Sequence, residues 1–332
     1  MTDPALAWAV CGPVDHGVVE VADRIARADG GGIVEPDPAR LASLADRLPP
    51  GTRVLHLHVT DWLFGGAAAS ARIGELADRL TARGVQLTLT LHDLPQPSDG
   101  AELFVRRTGT YRELVARAAA VAVSSEHERR LLAKIGVPVE DVAVIPLAID
   151  SLPPVDVAVE SGTVGVFGYL YPGKGHAEVL EALLHRGSGT LVAVGRPSDR
   201  HADLVDVLAG AAHAGGVGFR CTGYVPVDRV ATELRRVAVP VAPHTHVSAS
   251  GSINSWLASG RRPLVPAGRY VRELAERLPG SLTLYDPADL DGALERAFAD
   301  PGSTWLAPDL VVGPSTAEVA EQYRTWSTGR LG

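Results

Sequence analysis

The chain has 332 residues, a formal net charge of −8 and 46% hydrophobic residues, enough to fill about two domains of ordinary size and too apolar to stay disordered. Its 31 basic and 39 acidic residues are evenly spread, so no face for nucleic acid or an anionic membrane is expected. Its longest apolar runs, Ala118–Val123 and Val237–Pro243, fall well short of the roughly 18 residues of a spanning helix.

Asp3 and Pro4 stand where a signal peptide would carry cationic residues, which predicts a cytoplasmic protein. Cys11 and Cys221 lie in separate apolar runs, so both are expected to be small core residues, with no disulfide and no thiolate metal site. Short β-rich runs then alternate with stretches of helical period, the pattern of a parallel sheet covered on both faces. Strands are predicted at 6–11, 32–34, 54–58, 86–91, 121–123 and 142–145, with helices at 18–28, 38–48, 67–83, 102–119 and 126–135. Prolines at 146, 153 and 154 mark 146–162 as a linker. A second cycle follows, with strands at 164–167, 190–194, 218–222, 238–241, 263–265 and 282–285, and helices at 175–184, 199–213, 227–236, 252–259, 270–277 and 287–299. The last helix, 316–326, carries Val319, Ala320, Tyr323 and Trp326 at helical spacing and is expected to return to the first domain. The fold class is therefore α/β, two Rossmann-like doubly wound domains, 1–150 joined by 314–330, and 151–313. The carboxyl ends of the strands, and the cleft between such domains, are the default site.

Thr163 to His176 is an apolar strand entering a Gly-rich turn and then a helix, and Lys174 stands beside the helix start. Unpaired N–H groups, the helix dipole and an ammonium together suit a phosphate. Gly168, Gly173 and Lys174 meet most of the P-loop pattern, yet Gly175 stands where that loop needs the hydroxyl that holds magnesium, which argues against a nucleoside triphosphatase. A Rossmann dehydrogenase is disfavoured too, because Cys11-Gly-Pro-Val-Asp-His-Gly17 lacks the Gly-x-Gly-x-x-Gly turn.

Phe167-Gly-x-Leu-x-Pro-x-Lys-Gly175 resembles the Phe-Gly-Arg-Leu-x-Pro-x-Lys-Gly motif of the large retaining glycosyltransferase family of GT-B fold. Val121-Ala-Val-Ser-Ser-Glu-His-Glu-Arg129, Val144-Ile-Pro-Leu-Ala-Ile-Asp150, Leu55-His-Leu-His58, Leu87-Thr-Leu-Thr-Leu-His-Asp93, Phe219-Arg-Cys-Thr-Gly-Tyr-Val-Pro226 and Ser250-Gly-Ser-Ile-Asn-Ser-Trp-Leu-Ala-Ser-Gly260 are similar to further passages of that family, in the same order. The resemblance implies an acceptor domain followed by a donor domain, and sugar transfer from a nucleoside-diphosphate sugar to a hydroxyl, with retention and without a metal or other cofactor.

On that resemblance, His92 and Lys174 are the candidate catalytic residues. Donor contacts are expected from Gly17, Gly168, Lys174, Arg196, Tyr224, Val225, Ser250, Gly251, Ser252, Ile253 and Ser255. Acceptor contacts are expected from His16, His58, Asp61 and Asp93. The pairs His56-x-His58 and His244-x-His246 each share a strand face, but neither has a third ligand nearby in sequence, so no metal site is predicted. Two departures bear on activity. Tyr169 replaces the motif's arginine, with Tyr171 at its shifted place, and Val247 and Ser255 occupy the places of a glutamate pair near the sugar and the ribose. These departures keep open a second expectation, a GT-B protein that binds a nucleotide sugar or a partner without catalysis. A nucleotide-sugar epimerase of the same fold would need carboxylates around the sugar ring, and none can be placed.

Overall fold

Alternation of strand and helix governs the whole chain, and the computed structural model describes residues 5–244 and 247–329. Asp3, Pro4, His246 and Arg330, on which parts of the sequence reading fall, lie outside the described residues. The chain divides into two units, Met1–Ala148 with Pro314–Gly332, and Ile149–Gly313.

The first unit holds β1 (Leu6–Cys11), β2 (Ile33–Glu35), β3 (Val54–Val59), β4 (Gln86–Leu91), β5 (Ala120–Val123) and β6 (Ala143–Val144). They form one parallel sheet in the order β2-β1-β3-β4-β5-β6. Its helices are α1 (Gly17–Ala28), α2 (Ala69–Thr81), α3 (Ala101–Arg117) and α4 (Glu126–Lys134). β3 is buried at all six positions, as a central parallel strand covered on both faces must be.

The second unit holds β7 (Glu160–Phe167), β8 (Thr190–Val194), β9 (Gly218–Cys221), β10 (Val237–Val241), β11 (Leu264–Pro266) and β12 (Thr283–Tyr285), again all parallel, in the order β12-β11-β10-β7-β8-β9. Around it lie α5 (His176–Arg186), α6 (Leu204–Ala214), α7 (Val227–Arg236), α8 (Gly251–Ala258), α9 (Arg269–Arg277) and α10 (Leu290–Ala299). The strand order reverses between β1 and β3 in one sheet and between β7 and β10 in the other. Crevices open at such reversals, because successive helices depart to opposite faces.

The last helix, α11 (Thr316–Thr328), belongs to the first unit. Its Val319, Ala320 and Tyr323 are buried with Trp8, Val10, Val19 and Ile25. Tyr323 receives a 2.9 Å bond from the Thr90 hydroxyl, and Arg324 pairs with Asp29.

Most element ends shift by one to three residues from the sequence reading, and three segments differ more. The stretch read as a helix over 38–48 is a 3₁₀ run, Pro38–Asp46, capped by Asp37. Leu41 and Leu44, three apart and both buried, share a face at three residues per turn. The helix read from 199 starts at Leu204, since Ser198 and His201 close a turn through a 2.8 Å side-chain bond ahead of it. The segment read as a linker is largely built into the second unit. Ile149 joins its core, Leu152 N–H donates to Ala258 at 2.7 Å, and β7 begins at Glu160 beside Val237.

Candidate functional site

In the second unit the sequence folds its Gly-rich turn against the ends of two neighbouring strands. β7 leaves the sheet at Gly168, whose N–H donates to Val194 at 3.0 Å. A side chain at Gly195 would begin 2.0 Å from the Gly168 carbonyl, so only glycine lets these turns approach so closely. Gly175 has φ +97°, and a Cβ there would strike Pro243 at 2.3 Å, which pins the start of α5 to the end of β10.

This geometry turns Lys174 inward. Its side chain is 7% exposed, and Nζ donates 3.0 Å to Ser252 Oγ on the first turn of α8. Ser250 caps α8 by accepting from Ile253 N–H at 3.2 Å, and its Oγ lies 3.1 Å from Ser252 Oγ and 3.2 Å from His244 Nε2. Tyr270 Oη accepts from Ser250 N–H at 3.3 Å.

Burial lowers Lys174 to about 8. His176 and His244 are lowered to about 3, first by burial and then by the nearby Lys174 charge. Both rings are therefore neutral at pH 7, and no carboxylate compensates the ammonium among the described residues. An unpaired buried cation at the positive end of a helix is an unfavourable arrangement that an anion would relieve.

Arg196 follows Gly195 and lies over the Tyr169 ring, 5.4 Å from its centroid, with a 3.3 Å bond to the Tyr169 hydroxyl. Thr222 Oγ1 accepts from Gly195 N–H at 2.9 Å and so ties the β9 turn to the same place. Tyr224 on that turn is 71% exposed, a surface available for stacking, whereas Val225 packs partly into the core. Ser255, one turn into α8, spends its hydroxyl on the Gly251 carbonyl at 2.9 Å. Ile253 is a correction to the sequence reading. Its side chain is fully buried and its N–H serves the Ser250 cap, so it belongs to the core and not to a donor contact. Val247, at one glutamate place, packs against the same core.

In the first unit, His16 caps α1 by accepting from Val18 N–H at 3.2 Å, and the exposed Gly17 opens that helix. Burial lowers the His16 ring, partly offset by Asp93 and Asp15. His92 closes β4, buried, and its Nε2 lies 2.9 Å from His58 Nδ1. Burial lowers His92 to about 4, with Asp93 opposing and His16 adding. Asp93 is exposed and has φ 49°, the sole positive φ on a non-glycine among the described residues.

The strained turn at Asp93 is held from α3. Tyr111 Oη donates 2.6 Å to the His92 carbonyl and 3.2 Å to that of Asp93, and Arg107 donates to the Asp93 carbonyl as well. Two acceptor assignments change here. Asp61 is fully buried and paired with Arg107 at 3.0 Å, which leaves no carboxylate surface for an acceptor. His58 is 3% exposed beneath His92 and touches that ring, not solvent.

Sequence reasoning missed Arg107 and Tyr111, although their i, i+4 spacing on α3 places them on one helix face. It weighed His244 only as half of a metal pair, and no group of three or more metal-ligating side chains occurs among the described residues. His56, the other member of a sequence pair, is fully buried between Thr88 and Thr90 hydroxyls at 2.9 and 3.1 Å. The thiol of Cys11 is buried and pushed up to about 12, chiefly by burial, and Cys221 is half-buried and bonds the Gly195 carbonyl.

Comparison with known proteins bears on the fold. Residues 7–148 match the model of the glycosyl transferase 4-like domain. No curated protein matches the sequence. Among solved structures, HepE of Anabaena in complex with UDP and glucose is similar at 15% identity, with a TM-score of 0.76 over 98% of this chain and 99% of that one. Sucrose-phosphate synthase of Thermosynechococcus elongatus is similar at 16% identity and a TM-score of 0.68, over 98% and 97%. A glycosyltransferase of Rickettsia africae is similar at 12% identity and 0.65, over 98% and 93%. Residues 7–148 thus match a glycosyl transferase 4-like domain, and the chain as a whole has the GT-B fold of these structures. No helix among the described residues is long and apolar enough to cross a membrane.

Proposed function

We propose that the chain transfers a glycosyl group from a nucleoside-diphosphate sugar to a hydroxyl acceptor, with retention and without a metal. In the reaction the bond from the sugar's anomeric carbon to the diphosphate oxygen breaks, a bond to the acceptor oxygen forms, and the acceptor proton is released. The step requires stabilisation of a departing diphosphate. One observation carries the proposal: Lys174 is buried, uncompensated by any described carboxylate, and aimed at the first turn of α8. Arg196, beside Gly168 and stacked on Tyr169, adds a second cation near the place where the motif's arginine is missing. Together with the first-turn amides of α8 these groups would supply the counter-charge that a magnesium ion supplies elsewhere.

Under this proposal Gly168, Lys174, Arg196, Ser250, Gly251 and Ser252 hold the diphosphate, and Tyr224 stacks on the base. His16, Gly17, His92 and Asp93 serve the sugar and acceptor side. HepE, whose structures contain UDP, makes uridine the first base to test. Retention rests on the motif resemblance. The cytoplasmic location expected from the sequence belongs to the same proposal.

The test is a thermal-shift series with UDP, GDP, ADP and dTDP, with and without EDTA. One nucleotide at about 100 times its dissociation constant is expected to add roughly 2.7 kcal/mol to stability, equally in EDTA. A shift that vanishes in EDTA would overturn metal independence. The absence of any shift would overturn the donor site and leave the non-catalytic alternative. With the nucleotide known, NMR of the product's anomeric configuration decides retention.

A further inference from the structure

We propose that His58 is a positioning residue: it carries its proton on Nδ1, donates it to Nε2 of His92, and so locks His92 as a fixed Nδ1–H hydrogen-bond donor. The two rings lie nearly parallel, 18° apart with centroids at 5.2 Å, and share the 2.9 Å contact between His58 Nδ1 and His92 Nε2. Burial holds both rings neutral, so each carries one proton.

Only two arrangements of those protons make the bond. If His92 donates through Nε2, the His58 proton must sit on its own Nε2. That atom is buried without a partner, and an orphaned N–H in such a place is rare. If His58 donates through Nδ1, its buried Nε2 is a bare ring nitrogen, which an aromatic surrounding tolerates; the His58 ring packs against Trp8, His56 and Tyr323, with centroids 6.3, 5.1 and 5.5 Å away.

The negative charge of Asp93 favours a protonated His92 ring, although burial outweighs it. His16, the other charged-when-protonated group near His92, already accepts a backbone N–H at its Nδ1 and is itself lowered by burial. With Nε2 accepting and Nδ1 protonated, His92 keeps no lone pair for taking up a proton. It is thereby a donor to an oxygen, whether hydroxyl, carbonyl or phosphate, and not a general base. That oxygen's identity rests on the proposed transfer reaction; the tautomer does not.

The test needs no ligand, so its failure is separate from failure of the transferase reading. Two-bond ¹H–¹⁵N correlation spectra of protein labelled with ¹⁵N-histidine, recorded near pH 7 and assigned by the signals lost in His92→Asn, report which nitrogen of each ring is protonated. The expected result is a protonated Nδ1 and a bare Nε2 on both rings in the wild type. In His58→Phe, which keeps a ring but cannot donate, the His92 Nε2 resonance is expected to move to the position of a ring nitrogen that accepts no hydrogen bond. A wild-type His92 protonated on Nε2 would overturn the proposal, and so would a His92 Nε2 resonance unchanged in His58→Phe. Should that variant fail to fold, the wild-type spectrum alone decides the proton's place.

Discussion

Lys174→Met is expected to make the ligand-free protein more stable at pH 7 and, at the same time, to weaken its response to a nucleoside diphosphate. The ammonium is lowered from 10.5 to about 8 by burial, so the folded state holds the charged form at a penalty of about 3 kcal/mol. Methionine keeps an unbranched stem and removes the charge; loss of the Ser252 bond costs about 1 kcal/mol. A net gain of about 2 kcal/mol corresponds to a midpoint higher by roughly 4–8 °C for a unit of this size. The pH dependence has a definite sign. Between about 8 and 10.5 the unfolded lysine binds more protons than the folded one, so wild-type stability rises with pH across that window. The advantage of the variant is thus full below about pH 8 and fades by about 10.5. With UDP at about 100 times the wild-type dissociation constant that advantage shrinks to within about 1 kcal/mol. The wild type gains roughly 2.7 kcal/mol, and the variant, which lacks a charge-assisted contact worth about 1.5–3 kcal/mol, gains under about 1.5. Calorimetry at pH 7 and pH 10, with and without nucleotide, checks all of this. A variant less stable than wild type without ligand, or one with an undiminished UDP shift, would show that Lys174 is a structural lysine.

Much of this architecture is legible in the sequence because parallel strands buried on both faces leave continuous apolar runs. β1, β4, β8 and α7 match the sequence reading residue for residue, at Leu6–Cys11, Gln86–Leu91, Thr190–Val194 and Val227–Arg236. The turn at Gly168, Lys174 and the Ser250 cap are legible as well, since these are local signals that need only a strand, a turn and a helix start. Side chains whose meaning depends on distant partners are less legible. Asp61 is followed by nothing that announces Arg107, 46 residues on, and His58 reads as a strand-end histidine until β4 sets His92 beside it. The 3₁₀ run at Pro38–Asp46 escapes for another reason: its apolar spacing fits either helix type, and only packing decides between them. The contact of Arg196 with Tyr169, at the place of the motif's arginine, is equally hidden, since Arg196 reaches it across adjacent strands from 27 residues away.

Arg107→Leu is expected to destabilise the first unit by about 3–5 kcal/mol, because it leaves a buried carboxylate with no counter-charge. Asp61 is fully buried, 3.0 Å from a guanidinium that is itself only 5% exposed and that also pairs with Asp99. The same guanidinium donates to the Asp93 carbonyl, so its loss frees one of the two side chains that hold Asp93 in left-handed backbone; Tyr111 remains. Chemical denaturation followed by circular dichroism measures the loss. The double variant Asp61→Leu with Arg107→Leu separates the two consequences. Removing both charges together relieves the unpaired-carboxylate penalty, so the double variant should recover at least about 1 kcal/mol relative to Arg107→Leu alone. It should not recover the turn, because an aliphatic side chain in place of the guanidinium cannot donate to the Asp93 carbonyl. Transfer activity in the double variant should therefore stay below wild type even where its stability is regained. A loss under about 1 kcal/mol for Arg107→Leu would mean that Asp61 takes up a proton or water at little cost, and that the β4 turn is held by Tyr111 and local chain geometry instead.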